Sequence, residues 1–235
     1  MPIPKLNVPI YETTLPSGTK LSFRPFLVKE EKLLLIAKHA GDVRSMIMAV
    51  KQVLQNCIEG LSSVSIDKLP LFDIEYFFLQ LRARSIGEIA TLHYKCTNCD
   101  TISNYSVDLM SIHPQFGEGH TKTIPLTETV GVTMRYPAFT SFERIAKEDL
   151  PAQESYAMVL ECIESIYDKD QVYYTKDIPE KEVQDFVDSL TPRQAEKIDL
   201  FFDTLPKIQT TIQFDCPKCA TKSPIVVEGL DSFFL

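Results

Sequence analysis

The chain has 235 residues, 44% of them apolar, and its 24 Lys or Arg against 32 Asp or Glu leave a formal net charge of −8. That acidity argues against non-specific nucleic-acid binding, which needs a basic face to displace counterions. The apolar content suffices for one large domain or two small ones. No stretch is long and apolar enough to span a bilayer, and the opening Met-Pro-Ile-Pro-Lys-Leu-Asn lacks a signal-peptide plan, so a reducing cytoplasm is expected.

Residues 11–15 and 19–23 are β-prone runs around Pro16-Ser17-Gly18, which predicts a hairpin within 9–26. Residues 29–40 carry Leu33, Leu34, Ile36 and Ala37 and are read as a helix stopped by Gly41. Asp42 caps a second helix reaching to about residue 59, with Val43, Met46, Ile47, Val50, Val53 and Leu54 at helical spacing. A third helix over 71–84 is apolar nearly all round, because Ile74, Phe77, Phe78 and Leu81 join the stripe of Phe72, Tyr76, Leu79 and Ala83. Such a helix is either buried on several sides or presented to a partner.

Cys96 and Cys99 follow a β-prone run and precede another, forming a Cys-x-x-Cys knuckle. The segment around His113-Pro-Gln-Phe-Gly-Glu-Gly reads as loop. Short strands at 122–124 and 130–136 follow, the second stopped by Pro137. Helices are predicted at 141–147, 153–167 and 179–189. Thr191-Pro192-Arg193-Gln194 matches a capping box with Pro at the first helical position. That helix runs to about 204, burying Ala195, Ile198, Leu200 and Phe201 or Phe202, and Pro206 ends the segment. A second knuckle, Cys216/Cys219, comes next, and the chain finishes Asp-Ser-Phe-Phe-Leu, whose Phe233 and Phe234 must fold back or dock on another chain.

The two knuckles are one sequence written twice. At an offset of 120, Thr91, Tyr94, Cys96, Cys99, Thr101 and Ser103 fall on Thr211, Phe214, Cys216, Cys219, Thr221 and Ser223. Each copy supplies two thiolates, and a closed tetrahedral zinc site takes four. The economical reading is that the knuckles meet around one structural zinc per chain. Asn98 and Lys218 occupy the position taken here as the sharpest point of each turn. A thioredoxin-like pair would open a helix, whereas strand-like residues follow both pairs. Disulfides fit a secreted chain better, and an iron–sulfur cluster takes the same four ligands, so spacing alone leaves it open. With four sulfurs bound, no coordination position remains for substrate or water.

Cys57 and Cys162 sit in helical apolar patterns and read as buried small hydrophobes. His39, His93, His113 and His120 lack a ligand-like setting. No Walker-type loop, Gly-x-Ser-x-Gly elbow or His-Glu-x-x-His helix occurs, and only eight glycines are present, so no catalytic residue is named and no small-molecule substrate is expected. The fold class is α+β: a mainly helical body with an N-terminal β-hairpin and a split zinc-ribbon-like module of two β-knuckles. A shared metal makes 1–235 one interlocked domain, with the hairpin at 1–27, a helical lobe at 28–87, the metal module at 88–110 plus 208–230, and a strand and helical insertion at 111–207.

Residues 16–35 (PSGTKLSFRPFLVKEEKLLL) and 68–88 (KLPLFDIEYFFLQLRARSIGE), with the two knuckles, resemble the T4-type bacteriophage baseplate protein family, its hub-subunit and hub-assembly group. The middle, about 110–205, carries no family landmark. The resemblance implies a non-enzymatic structural or assembly protein of the central hub of a contractile tail baseplate. It would work by contact with other baseplate hub proteins, in the host cytoplasm during assembly or in the virion tail baseplate. With no bilayer-spanning stretch in the sequence, no membrane association is expected. A transient hub-assembly chaperone absent from the virion is the alternative within that class, and a zinc-ribbon nucleic-acid regulator the alternative outside it. Candidate partner-binding residues are Phe77, Phe78, Arg82 and Arg84 on the third helix, with Phe233 and Phe234 at the end.

Overall fold

The computed structural model describes residues 6–60, 64–141 and 151–229. The structure mixes helices with short antiparallel strands, in keeping with an α+β class. It divides into two compact units. One joins the chain up to Gln115 with the chain from Lys207 onward, and the other is Phe116–Pro206.

The first unit opens with strands β1 (Tyr11–Thr14) and β2 (Lys20–Phe23), paired antiparallel. Helix α1 (Val28–Ala40) ends on Gly41, whose φ of 73° is left-handed. Helix α2 (Val43–Cys57) starts on Asp42, whose carboxylate accepts from the Ser45 amide at 2.7 Å, an N-cap that satisfies one of the donors a helix start leaves open. The second helix stops earlier than expected. Ile58–Glu59 form strand β3, because their backbone pairs with Ser22 and Phe23 and completes a three-stranded sheet.

The corner between β2 and α1 is held by Arg24. Its guanidinium donates to Glu30 Oε1 at 3.1 Å, the Asn56 carbonyl at 2.8 Å and the Pro25 carbonyl at 3.0 Å. Glu30 has no exposed surface, and its Oε2 accepts from the Leu27 amide at 2.9 Å. A buried charge survives only when paired and hydrogen-bonded, and here it is both.

Helix α3 (Leu71–Ser85) explains its own composition. Phe77 packs edge-on against Phe23 at 5.4 Å, while Leu79 and Ala83 pack with Ala90, Val107, Ile208 and Val227 of the knuckle hairpins. A helix sandwiched between two layers needs apolar residues on both sides. Phe77, Phe78 and Arg82 are 0%, 2% and 6% exposed, so the structure places them in the core and not on a docking face.

The hairpins are β4 (Ile89–Lys95) with β5 (Ile102–Asp108), and β11 (Lys207–Asp215) with β12 (Lys222–Glu228). The loop expected near His113 contains a short strand, β6 (Pro114–Gln115), which pairs with Lys207–Ile208 of β11.

The second unit is a four-stranded sheet in the order β10-β9-β8-β7 with three described helices, α4 (Pro151–Cys162), α5 (Glu180–Asp188) and α6 (Pro192–Asp203). Strands β7 (Thr123–Pro125) and β8 (Gly131–Met134) stand near their expected places. The helix expected over 153–167 ends at Cys162, and Ile163–Tyr167 form β9 between β8 and β10 (Val172–Tyr174). Ile163 and Ser165 are buried in alternation with exposed Glu164, a two-residue period that pairing imposes over helix propensity. The predicted helix at 141–147 falls almost wholly outside the described residues. Helix α6 begins as expected, the Thr191 amide donating to Gln194 Oε1 at 2.9 Å. It buries Ile198 and Phe201, whereas Leu200 is 57% exposed, contrary to the sequence reading.

Candidate metal centre

Each hairpin ends in the same turn. In the first, the Cys96 amide donates to the Thr101 carbonyl at 2.9 Å and the Asp100 amide to the Cys96 carbonyl at 3.0 Å. In the second, Cys216 donates to Thr221 at 3.0 Å and Ala220 to Cys216 at 2.9 Å. The left-handed residues are Asp100 and Ala220, with φ of 56° and 54°, one place after the second cysteine and not at Asn98 and Lys218 as the sequence suggested. An alanine held there costs about 1 kcal/mol, strain of the kind that marks a geometry demanded by a site.

These turns carry the sulfurs of Cys96, Cys99, Cys216 and Cys219 to within 4.8 Å of one another. Cys96 Sγ lies 3.7 Å from Cys219 Sγ and Cys99 Sγ 3.5 Å from Cys216 Sγ, two pairs that cross from knuckle to knuckle. All four are free thiols, far beyond the roughly 2.05 Å of a disulfide. Four sulfurs about 2.3 Å from one central ion stand about 3.8 Å apart along the edges of a tetrahedron, close to the spacings found.

The surroundings favour thiolates unevenly. The hydroxyl and amide of Thr221 pull Cys219 down to about 5, helped by the Asn98 amide group, which donates across to Thr221 Oγ1 at 3.2 Å. Thr101 acts likewise on Cys99, lowering it. Cys216 is pushed up to about 11, because burial and the neighbouring sulfurs outweigh the Cys219 and Lys218 amides that favour its thiolate. Four crowded sulfurs cannot all ionise without a counter-charge, and a divalent cation supplies one. Thr101 and Thr221 are neighbours of the sulfurs that sequence reasoning did not single out, although their coincidence in the repeat was the signal.

Beneath the sulfurs, Tyr94 packs edge-on against Phe214 at 4.7 Å, and Tyr105 lies 5.3 Å from the same ring. The Tyr105 hydroxyl donates to the Asp215 carbonyl at 2.8 Å, a second tie between hairpins. Cys57 and Cys162 are fully buried, and burial pushes each thiol up to about 12, which suits inert packing. Arg84 stacks over Tyr11 at 5.1 Å and pairs with Glu88 at 2.8 Å. Phe233 and Phe234 lie outside the described residues. His120 stacks on Phe201 and bridges Thr204 and the Tyr136 hydroxyl, a packing role. No described helix is long and apolar enough to cross a membrane.

The fold and the site define a protein in which two repeated Cys-x-x-Cys hairpins, separated by an inserted unit, bring four cysteines together. By sequence, the chain belongs to the T4 bacteriophage base plate protein family, which it matches over residues 8–235. It is 26% identical over 227 residues to the baseplate hub assembly protein gp26 of Enterobacteria phage T4, covering 95% of this chain and 97% of that protein. No solved structure matches the chain.

Proposed function

We propose that this chain is a non-enzymatic structural or assembly protein of the central hub of a contractile phage tail baseplate, and that one structural zinc ion holds its two knuckles together. The observation that carries the first half is correspondence with a hub assembly protein over 95% of this chain and 97% of that protein. The zinc reading rests on the sulfur spacing. Four sulfurs all within 4.8 Å of one another, two cross-knuckle pairs at 3.5 and 3.7 Å, leave room for one ion, whereas an iron–sulfur core must fit several metal and sulfide atoms between its ligands. Zinc asks for four soft ligands in a tetrahedron and no redox chemistry. Bound to all four cysteines it presents no open position, so the metal acts by linking residues more than a hundred apart in sequence. That link closes the chain between the two knuckles into a loop tied at its ends.

The protein would act in the host cytoplasm while the hub is built, through contact with other hub proteins. A permanent subunit and a transient assembly factor are the two forms this role can take. Quantitative mass spectrometry of purified particles separates the two: a transient factor is missing, a subunit is present at fixed stoichiometry. Affinity purification from infected cells tests the reading itself, and recovery of no baseplate protein contradicts it. The nucleic-acid alternative predicts binding that weakens steeply with salt, and the chain's acidity opposes it.

A further inference from the structure

The chain's charge is divided unevenly between its two units. Phe116–Pro206 carries nine Lys or Arg against eighteen Asp or Glu, while the remainder carries fifteen against fourteen. Several cations of the acidic unit, although exposed, are engaged by groups of the same unit. Arg135 donates to the Glu161 and Ile163 carbonyls at 2.7 and 3.3 Å, and Lys197 Nζ to the Pro125 and Leu126 carbonyls at 2.8 and 3.2 Å. Lys122 and Lys176 lie over the rings of Tyr136 and Tyr174. The carboxylates therefore dominate the field this unit presents to solvent.

Helix α6 shows where that field meets apolar surface. Glu196, Asp199, Leu200 and Asp203 are all exposed, and their spacing puts them on one helical face. Leu200 stands at the edge of a pocket of about 200 Å³ lined by Ile124, Pro125 and Phe201 and by Lys197, whose ammonium is held by the Pro125 and Leu126 carbonyls. Phe116, also 57% exposed, extends the apolar surface through His120, whose ring lies 5.9 Å from Phe116 and 5.3 Å from Phe201. The loop bearing Phe116 is fixed in place. The Gly117 amide donates to the Thr204 carbonyl at 3.2 Å, and a Cβ at Gly117 would stand 2.7 Å from Thr204 Cβ. An exposed leucine and phenylalanine flanking a pocket, with three acids on the same stripe, form a built surface and not scattered apolar residues.

We infer that this face docks a segment of a partner protein presenting an apolar side chain flanked by lysines or arginines. The apolar residue fills the pocket beside Leu200, and the cations meet Glu196, Asp199 and Asp203. A second copy of this chain would bring the same acidic rim and be repelled, and nucleic acid carries the wrong sign. The inference rests on the reading that the chain acts by binding baseplate proteins.

The test is surface-based kinetics of the full chain against each purified baseplate protein of its phage, with cross-linking mass spectrometry to identify the bound segment. Two variants are compared with the wild type: Glu196→Lys/Asp199→Lys/Asp203→Lys together, and Leu200→Ala. Both change exposed positions, and unchanged melting temperature and metal content confirm the fold. The charge reversal should slow association about tenfold or more and flatten or invert its salt dependence. Leu200→Ala should speed dissociation, and the cross-linked segment should be basic. Binding of the reversal variant at the wild-type rate, or an acidic cross-linked segment, overturns the docking site and leaves the hub reading standing. Self-association that is lost on Leu200→Ala also overturns it. If the wild type binds no baseplate protein, both fall.

Discussion

Replacing Cys96 with Ser and, separately, Cys216 with Ser should damage the protein by the same mechanism, because their sulfurs lie in one cluster. An ion present at about 1,000 times its dissociation constant stabilises the folded chain by about 4 kcal/mol. Losing one of four sulfurs removes most of that term, so each single variant should lose about 4 kcal/mol, a large share of a typical 5–15 kcal/mol stability. The informative quantity is the double variant. Two knuckles that were independent would give a summed loss of about 8 kcal/mol, whereas a shared ion gives about 4 kcal/mol, since the second substitution has no site left to break. Urea unfolding of the four proteins, followed by tyrosine fluorescence with metal content measured alongside, yields the cycle directly. Additive losses, or a single variant that keeps its metal and its unfolding midpoint, would refute the reasoning.

Three further outcomes are expected. Burial alone would raise the Glu30 carboxyl, but hydrogen bonds from Arg24 and the Leu27 amide outweigh it and hold it below its ordinary 4.5. Its stabilising effect is therefore complete above that value and lost as pH falls through the lower folded one; unfolding titrations of wild type and Glu30→Gln should differ at neutral pH by about 3 kcal/mol and converge in acid. A Cβ at Gly131 would stand 2.5 Å from the Ile124 carbonyl oxygen and press on the Tyr167 ring, so Gly131→Ala should cost about 1–3 kcal/mol, with hydrogen-exchange protection lost in 116–206 first. Tyr105→Phe removes the bond to the Asp215 carbonyl and should lower stability by about 1 kcal/mol without releasing metal, as chelator competition can check.

Much of the architecture was legible because its signals are local. The Pro16-Ser17-Gly18 turn, the Asp42 cap, the Gly41 stop and the Thr191–Gln194 box each act within a few residues, and each stands where expected. The cysteine pairing was legible because a repeat at fixed offset is a long-range signal written in plain sequence. Strands β3, β6, β9 and β10 were not, since two to five residues become a strand only by pairing with segments far away. Ile163-Glu-Ser-Ile-Tyr continues the helical pattern of α4, and only its place in the sheet turns it into a strand. The breadth of the α3 apolar face was visible, but whether a partner or the chain itself covers it depends on two hairpins that arrive later in sequence. Leu200 shows the converse: helical spacing marks it as core, yet it faces solvent beside a pocket.

The central claim is that four sulfurs from two distant hairpins hold one zinc ion, and X-ray absorption at the zinc edge on protein purified without chelator measures it most directly. The account predicts about one zinc per chain, with four sulfur neighbours at about 2.3 Å and no lighter ligand. Protein that is folded yet metal-free, or a first shell containing oxygen or nitrogen or a metal–metal distance, would contradict it.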